Sequence, residues 1–383
     1  MKKIFIYFCI FIVVTFAIPI IFTKSFNEKK EAANLDGLID SNIDNTNNSN
    51  NTENNENSNQ NTSDNKEENN SNNDKVNNKE ENKSGEDLDS KTNSDISEYK
   101  KYNTVKLLHT KTNVVEEIPI DKYLYGVVSA EMPANFEKEA LKAQSIVART
   151  YTLYKILQNN GKHEGADICD DSSCCQSWIS KVDRLNKWEE DTREANWNKI
   201  VSSVEETKGK IITYEGKPIN AFFHSNSGGT TEVPVNVWGG TNYPYLQTVE
   251  TSGEDAYTQY YSEVKLSKDE LINKMKNNYN DFEINFEDES QIQIMEYTNS
   301  GRVKTIKIGN KNLSGVEVRA LFSLKSANFQ VKKENDEIIF SVLGYGHGVG
   351  MSQTGADSLA KEGKNAEEII KHFYTGVDIV TIQ

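Results

Sequence analysis

The protein has 383 residues and a formal net charge of −15, with 58 acidic against 43 basic side chains. Proteins that bind nucleic acid through its phosphates concentrate Lys and Arg in a basic patch. The sequence of this acidic chain has no such basic patch, so we do not expect it to bind nucleic acid. Its length allows two or three domains, but apolar residues crowd the start and return only after about residue 100.

An almost entirely apolar segment covers residues 4–22, directly after Lys2 and Lys3. Its length suits a helix that crosses a hydrocarbon core of roughly 30 Å, and the two lysines favour a cytoplasmic N-terminus. We therefore predict a single-pass transmembrane anchor in residues 1–24, with the rest of the chain outside the cytoplasm. A cleaved signal peptide is the alternative, although its apolar region would be unusually long and no small-x-small cleavage site follows.

Residues 25–98 are rich in Asn, Ser and Glu and contain few apolar side chains. Burial of so few apolar groups cannot offset the entropy cost of ordering the chain, so we predict a disordered linker. Residues 99–383 are predicted to form the folded domain, which could divide into two lobes.

The folded domain is predicted to begin with short strands at residues 105–108 and 114–120 and an extended stretch at 123–128. A long helix is predicted at residues 136–157, which contain frequent Ala and Leu and no Gly or Pro. The later elements are predicted as helix 191–207, hairpin strands 210–214 and 219–224, helix 262–276, hairpin strands 292–297 and 303–308, helix 315–321, strand 338–343 and helix 353–362. Because helices and short antiparallel strands interleave without a regular βαβ repeat, the predicted fold class is α+β.

Glu131 lies between the extended stretch and the long helix, directly before Met132 and Pro133. Pro133 restricts Met132 to extended geometry, and the apolar neighbours could desolvate the Glu131 carboxyl group and favour its protonated form. A carboxyl group that is kept protonated can donate its proton to a glycosidic oxygen. A structural glutamate held in a salt bridge is the competing interpretation.

Two basic residues follow on the long helix. Lys142 and Arg149 are spaced so that they lie on nearly the same helical face. An arginine among small and apolar residues needs a partner, so Arg149 could orient Glu131 or bind the acetamide or lactyl group of a sugar. A structural ion pair with one of the many acids is the alternative.

A short segment after the helix contains His163, Cys169, Cys174 and Cys175. Three or four soft ligands so close in sequence suit tetrahedral zinc. A disulfide is the alternative, because the domain is predicted to lie outside the cytoplasm, but three cysteines would leave one thiol unpaired. We favour zinc and keep the disulfide open.

Two glycine-rich loops, residues 224–229 and 344–350, each carry a histidine, and glycine lets a ligand approach the backbone closely. Trp238 could stack on a sugar face or pack into the core. We predict substrate contacts at the following residues: His224, Ser225, Ser227, Trp238, His347, Ser352 and Gln353.

The segments YLYGVVSAEMP and FEKEALKAQSIVARTY, followed by HSNSGGTTE, VWGG and GHGVGMSQTGA, resemble the motifs of the stage II sporulation protein D family in the same order. The resemblance extends from about residue 100 to residue 383. It implies a membrane-anchored lytic transglycosylase that cuts peptidoglycan strands stripped of their stem peptides during engulfment of the forespore. It also implies two partners, the amidase stage II sporulation protein P and the membrane protein stage II sporulation protein M.

The same resemblance implies roles for individual residues. Glu131 would be the catalytic acid/base, and Lys142 and Arg149 would be the basic residues of the site. Some clostridial members of the family bind zinc through one His and two Cys after the long helix, which implies His163, Cys169 and Cys175 as ligands here and a structural role for the metal. Cys174 is additional to that pattern and leaves the ligand set open.

A transglycosylase needs one carboxyl group, because the muramoyl 6-hydroxyl attacks the anomeric carbon and leaves a 1,6-anhydro end. A muramidase would usually need a second carboxylate about 5–10 Å away, for which Glu232 and Asp255 are the candidates. A module that binds the wall and only activates an amidase is another alternative. A zinc amidase or peptidase is the last, but the sequence contains no H-E-x-x-H motif.

Overall fold

The computed structural model of the protein describes residues 98–158 and 160–382. The anchor predicted in residues 1–24 and nearly all of the linker predicted in residues 25–98 lie outside the described residues. Within the described residues, no helix combines the length and the apolar character that crossing a membrane requires.

Helices and mostly antiparallel short strands make up the described chain, which confirms the α+β prediction for this part. The helices are α1 (Ile120–Glu131), α2 (Lys138–Gln158), α3 (Lys181–Lys187), α4 (Arg193–Glu205), α5 (Pro234–Trp238), α6 (Lys268–Asn278), α7 (Gly315–Phe322), α8 (Gln353–Lys361) and α9 (Ala366–Phe373). The strands are β1 (Thr104–His109), β2 (Val114–Pro119), β3 (Ile168–Cys169), β4 (Lys210–Tyr214), β5 (Lys217–Pro218), β6 (Phe223–His224), β7 (Tyr261–Ser267), β8 (Ile292–Tyr297), β9 (Val303–Ile308), β10 (Lys311–Ser314), β11 (Phe329–Glu334), β12 (Glu337–Leu343), β13 (Met351–Ser352) and β14 (Asp378–Thr381). Single turns of 3₁₀ helix lie at Glu98–Lys101, Glu254–Ala256 and Glu289–Gln291.

The first hairpin forms where the sequence predicts it. β1 and β2 pair antiparallel along their whole length, and Asn113 in the turn has a positive φ of 56°, a conformation that Asn tolerates better than most residues. β3 pairs in parallel with β1, with Cys169 opposite Leu108. The sheet therefore anchors the start of the cysteine-containing loop.

The stretch at residues 123–128 was predicted as extended, and this is wrong, because it forms the middle of α1. Tyr123, Leu124 and Val127 are buried, and their spacing of three and four residues matches one face of a helix. That face packs against α2 and α4, and its burial outweighs the strand preference of the β-branched and aromatic residues. Glu131 is consequently the last residue of a helix instead of the end of a strand.

Helix α2 is the central element of the first hydrophobic core, with α1, α4, α8, α9 and β4 packed around it. It is buried from Ala140 to Leu153 on almost every side. Its buried hydroxyl groups donate to carbonyl oxygens one turn earlier, as Thr150 does to Ile146 O at 2.7 Å and Thr152 does to Ala148 O at 2.8 Å. These bonds satisfy polar groups that would otherwise be costly to bury.

The hairpin predicted from residues 210–214 and 219–224 is only partly present. β4 pairs with the short β5 and with β14, but the second strand ends at Pro218. β6 instead pairs in parallel with β13, so that His224 lies opposite Ser352. This long-range pairing brings the two glycine-rich loops side by side.

A second hydrophobic core is formed by residues 264–342, so the chain leaves the first core after Tyr257 and returns to it at Val349. It contains two three-stranded sheets, in the orders β10-β9-β8 and β11-β12-β7. The helix predicted at 262–276 begins only at Lys268, because the alternating exposure of β7 continues to Ser267. Ser267 and Glu270 then form a capping box that starts α6. The other predicted helices and strands are confirmed to within two residues.

Candidate active site

Two segments that are distant in sequence from the end of α1 meet at Glu131. Met132 has an extended backbone with φ −123° and ψ 142° and ends α1. The partly exposed Glu131 side chain accepts a hydrogen bond from the backbone N–H of Ser177 on Oε1 at 2.6 Å. Its Oε2 accepts one from Nε2 of Gln353 at 3.3 Å. The carboxyl group is thus held in position while it remains accessible to a ligand.

Gln353 owes its position to the start of α8. Ser352 is the N-cap residue, and its hydroxyl accepts a hydrogen bond from Gly355 N. Because Ser352 also belongs to β13, the strand pairing with β6 determines where the helix begins. Gln353, as the first residue of the helix, is directed towards Glu131.

A buried carboxylate, Glu254, ties these segments together. It is 1% exposed. Burial opposes its ionisation, but hydrogen bonds from Ser227, Ser352 and Thr251 outweigh this effect and lower its pKa. The donors to its two oxygens come from three segments: Ser227, Gly229, Thr251, Ser352 and Thr354.

Glu254 was not identified from the sequence. The sequence instead offers its neighbour Asp255 as a candidate for a second carboxylate, and Asp255 is exposed. Nothing in the sequence around Glu254 distinguishes it from the acids that lie on the surface. Only the tertiary structure, in which distant loops converge on Glu254, shows that Glu254 is buried and Asp255 is not.

The predicted substrate-binding serines lie near this carboxylate. The hydroxyl groups of Ser227 and Ser352 both donate to Glu254, so they are engaged within the protein. The carbonyl oxygen of Ser225 accepts a hydrogen bond from Thr354 N at 3.0 Å. These contacts support a role for the serines in building the site.

Four rings form what we call the aromatic wall: Phe222, His224, Trp238 and His347. Ring centroids are 4.7 Å apart for Phe222 and Trp238, 5.0 Å for Trp238 and His347, and 5.7 Å for His224 and His347. Trp238 is 42% exposed, so part of its ring is available to a ligand. The β6–β13 pairing connects this wall with the Gln353 end of the site.

The two histidines of the wall differ in their surroundings. Burial lowers the pKa of His224 well below its usual value, so its ring is neutral and Nδ1 donates to Val349 O at 3.1 Å. His347 Nδ1 accepts a hydrogen bond from Val349 N at 3.0 Å. Both rings are therefore oriented by the backbone of the same residue.

Arg149 is 2% exposed and lies at the opposite end of α1 from Glu131. Its Nη2 is 3.0 Å from the Asp121 carboxylate, and Nη1 donates to Thr207 O at 2.9 Å and to Lys210 O at 3.3 Å. The guanidinium thus binds the first turn of α1 and the carbonyl oxygens that follow α4. These contacts support the structural alternative for Arg149.

Lys142 also lies among acids of the scaffold. Its Nζ is 2.7 Å from Glu139 and 3.9 Å from Glu206. The catalytic roles that the sequence predicts for Lys142 and Arg149 remain predictions.

His163, Cys169, Cys174 and Cys175 form a cluster in which one ligand atom from each residue lies within 4.8 Å of the others. His163 Nε2 is 3.4 Å from the sulfur atoms of Cys174 and of Cys175, which are 3.7 Å from each other. Tetrahedral zinc bonds of about 2.3 Å to sulfur and about 2.0–2.1 Å to nitrogen place ligand atoms roughly 3.5–3.8 Å apart. The three cysteines are free thiols, so the arrangement fits a metal ion and includes Cys174.

The protonation of the cluster also favours a cation. Hydrogen bonds to Cys174 and Cys175, followed by burial, raise the pKa of the Cys169 thiol, whereas the hydrogen bonds that Cys174 makes with Cys169 and Cys175 lower the pKa of Cys174. Three thiols at this distance share protons because three adjacent thiolates would repel one another. A bound cation would replace those protons and stabilise all three thiolates.

The cysteine cluster and Glu131 are joined by a very short segment. Ser177, which donates to Glu131, is two residues after Cys175. The side chain of the intervening Gln176 donates to Tyr123 Oη and to Thr152 Oγ1, both at 2.9 Å, and so pins the segment between α1 and α2. Gln176 therefore fixes the segment that joins the cysteine cluster to the Ser177 N–H group.

The chain is similar to several known proteins. A family model described as stage II sporulation protein matches residues 108–214, and a domain of unknown function matches residues 252–350. The chain is 36% identical over 278 residues to stage II sporulation protein D of Bacillus amyloliquefaciens and 34% identical to that of Bacillus subtilis, covering 72% of this chain and 78% of each relative. It is also 28% identical to the amidase enhancer of Bacillus subtilis, over 67% of this chain and 40% of that protein.

Proposed function

The chain belongs to the stage II sporulation protein D family, and on that premise we propose that it is a peptidoglycan lytic transglycosylase with Glu131 as its acid/base. The observation that carries this proposal is the placement of Glu131, whose partly exposed carboxyl group is held by Ser177 and Gln353. The substrate would be a glycan strand, cut between N-acetylmuramic acid and N-acetylglucosamine.

In this mechanism Glu131 first donates a proton to the glycosidic oxygen as the bond to the muramoyl anomeric carbon breaks. The resulting carboxylate then removes the proton of the muramoyl 6-hydroxyl. That oxygen bonds to the anomeric carbon, and a 1,6-anhydro end is formed without water. The Gln353 side-chain amide suits both stages, because it can donate to the carboxylate through nitrogen or accept from the acid through oxygen.

Glu232 and Asp255 are the candidates for the second carboxylate of a hydrolytic mechanism, and the surroundings of neither suit that role. Glu232 is 1% exposed, and its oxygens accept hydrogen bonds from Val233 N, Asn236 and Ser300. Asp255 is exposed on the 3₁₀ turn. These positions support a reaction with one carboxyl group.

We further propose that the cysteine cluster holds structural zinc through His163, Cys169, Cys174 and Cys175. Four protein ligands leave no open coordination position, which is the arrangement of structural zinc sites. The metal would supply the positive charge that keeps three thiolates together. The ligands themselves would keep the segment from Cys175 to Ser177 rigid and so orient Glu131.

The proposal includes a location and partners. Residues 4–22 would anchor the chain in the cell membrane, with the folded domain outside the cytoplasm. The amidase stage II sporulation protein P would remove stem peptides and so prepare the strands, and the membrane protein stage II sporulation protein M would join the same assembly.

A second candidate function follows from the similarity to the amidase enhancer, which is that the chain binds glycan and only activates an amidase. Mass spectrometry of the products released from denuded glycan strands by the purified full chain distinguishes the functions. Anhydromuramoyl ends support the transglycosylase, and reducing muramoyl ends indicate a hydrolase. Strands that stay intact, with amidase activity raised when an amidase is added, support the activator.

A further inference from the structure

Gly126 lies in the middle of α1 and is buried. Glycine loses more conformational freedom on folding than any other residue, so a glycine inside a helix destabilises it. The contacts of Gly126 explain its presence. A Cβ atom there would lie 2.2 Å from Trp178 Nε1, 2.6 Å from Trp178 Cδ1 and 2.7 Å from Ile179 O. The missing side chain therefore leaves a recess in the surface of α1, and this recess receives Trp178 and Ile179.

Trp178 is held in the recess by packing. Its ring centroid is 5.2 Å from that of His109, at an interplanar angle of 59°. The ring of His109 is held in turn, because Nε2 is 3.0 Å from Glu116 Oε2 and Nδ1 is 3.3 Å from Asp170 Oδ2. The buried Nε1 of Trp178 has no hydrogen-bond partner among the described residues. The shape of the indole, and no polar contact of its nitrogen, thus determines where Trp178 lies.

The residue before Trp178 is Ser177, whose N–H donates to Oε1 of Glu131 at 2.6 Å. We call residues 176–179 the donor segment. Gly126 and Glu131 lie on the same helix, and the five residues between their positions correspond to roughly 7–8 Å along its axis. The recess and the carboxyl group are consequently parts of one rigid element. The contact of the donor segment with α1 therefore fixes the length of this hydrogen bond.

We propose that Gly126 and Trp178 are positioning residues for the acid/base and that they act through the Ser177 N–H. The inference rests on the proposed function for the role of Glu131 and adds how the chain orients that carboxyl group. An N–H group can only donate. Oε1 therefore serves as the acceptor in both forms of the carboxyl group, and the proton of the acid form lies on Oε2. The donor segment thus selects the oxygen that protonates the glycosidic oxygen.

A side chain in the recess would separate the donor from the carboxyl group. Ordinary van der Waals contact begins near 3.4 Å, so a methyl group at Gly126 would force Ile179 O back from 2.7 Å by about 0.7 Å. The hydrogen bond of Ser177 would lengthen by a similar amount, beyond the upper limit of about 3.2 Å for a normal bond. A misplacement of about 1 Å in an active site can cost about a hundredfold in rate. Neither Gly126 nor Trp178 needs to touch the glycan to have this effect.

The first measurement follows the hydrogen bond and needs no glycan. The full chain, purified in detergent, is compared with Gly126→Ala by hydrogen–deuterium exchange and mass spectrometry. We expect peptides that contain Ser177 to exchange roughly ten times faster in Gly126→Ala, because the amide loses its charged acceptor. Gly315→Ala is the matched control. It also places a methyl group against a backbone carbonyl, 2.1 Å from Val303 O, but on α7 in the second core, and should leave this exchange unchanged.

The second measurement follows turnover and binding of denuded glycan. Turnover by Gly126→Ala and by Trp178→Ala should fall roughly ten- to a hundredfold while glycan binding stays unchanged. Trp178→Phe should retain most of the turnover, because a ring still occupies the recess and the indole N–H has no described partner to lose. Gly126→Ala should lower turnover less in the Trp178→Ala chain than in the unsubstituted chain, since the methyl group then has space. Gly315→Ala should keep its turnover per folded molecule.

Unchanged exchange at Ser177 in both Gly126→Ala and Trp178→Ala would overturn the inference, and the use of two variants guards against one that does not fold. Faster exchange with undiminished turnover would also overturn it, because the donor segment would then not position the acid/base. Equal losses of turnover in Trp178→Ala and Trp178→Phe would overturn the role of the ring. If the unsubstituted chain cuts no glycan while exchange responds as expected, the proposed function fails and the contact of the donor segment with α1 stands.

Discussion

The backbone N–H of Ser177 donates a hydrogen bond to Oε1 of Glu131 at 2.6 Å. Ser177 follows the cysteine cluster by two residues, whereas Glu131 ends α1, so this bond connects the proposed metal site with the proposed catalytic residue. The connection predicts that changes in the cluster affect Glu131 without any direct contact between metal and substrate.

Replacement of Glu131 by Gln should lower turnover of denuded glycan by at least about 10²-fold, because an amide cannot cycle a proton. Folding and glycan binding should survive, since Gln keeps the size of Glu, its oxygen can still accept from Ser177 N, and its amide nitrogen can donate to Gln353 Oε1 once that side-chain amide rotates. Product release measured by mass spectrometry and binding measured by titration check the two parts. Asp255→Asn is the matched control and should retain activity; a Glu131→Gln chain that turns over at the unsubstituted rate would refute the mechanism.

Replacement of Cys169 by Ser should reduce the zinc content measured by elemental analysis and destabilise the fold. A loss of about 3 kcal/mol would lower Tm by roughly 6–12 °C, and turnover should fall as the Ser177 segment loosens. Addition of a strong chelator to the unsubstituted chain should likewise lower its Tm and its turnover. Unchanged Tm together with absence of zinc in the purified chain would contradict the site, and a mobility shift on reduction would then indicate a disulfide.

Replacement of Arg149 by Ala should cost about 2–4 kcal/mol of unfolding free energy, because it leaves Asp121 and several carbonyl oxygens without their buried donor. Lys142→Ala should cost less than about 1 kcal/mol, since its ion pairs are partly exposed. Denaturant unfolding checks both values. If Arg149→Ala keeps its stability and loses turnover per folded molecule, the catalytic role predicted from the sequence is supported instead.

The stability of the protein should depend on pH through Glu254. Its pKa is lower in the folded state than the usual 4.5, so its hydrogen bonds stabilise the fold above that value. This contribution is lost as the pH falls below 4.5 and through the lower folded-state pKa. The Tm of the unsubstituted chain should therefore fall more steeply between about pH 5 and about pH 3 than the Tm of Glu254→Gln.

At neutral pH, Glu254→Gln should be less stable by about 1–3 kcal/mol, because an amide cannot accept from all the donors that surround it. Asp255→Asn, at the exposed neighbouring position, should leave the pH profile unchanged. If Tm depends on pH identically in Glu254→Gln and in the unsubstituted chain, then Glu254 is not an ionised carboxylate that connects these loops.

The sequence alone determined the α+β class of the described chain, most helix and strand bounds, and the cluster of His163 with three cysteines. These features follow from local patterns, such as the spacing of apolar residues, capping residues and ligands that are close along the chain. Local signals failed at residues 123–128, where packing against α2 and α4 made a helix from residues with strand preference.

Only the tertiary structure decided which distant groups meet. Ser177, Gln353 and Glu254 reach the site from three separate segments, and the contacts of Arg149 lead to Asp121 instead of Glu131. The second core likewise interrupts the first, because the chain leaves the first core after Tyr257 and returns to it at Val349. Such contacts depend on the burial of surfaces far apart in sequence, and no local pattern carries that information.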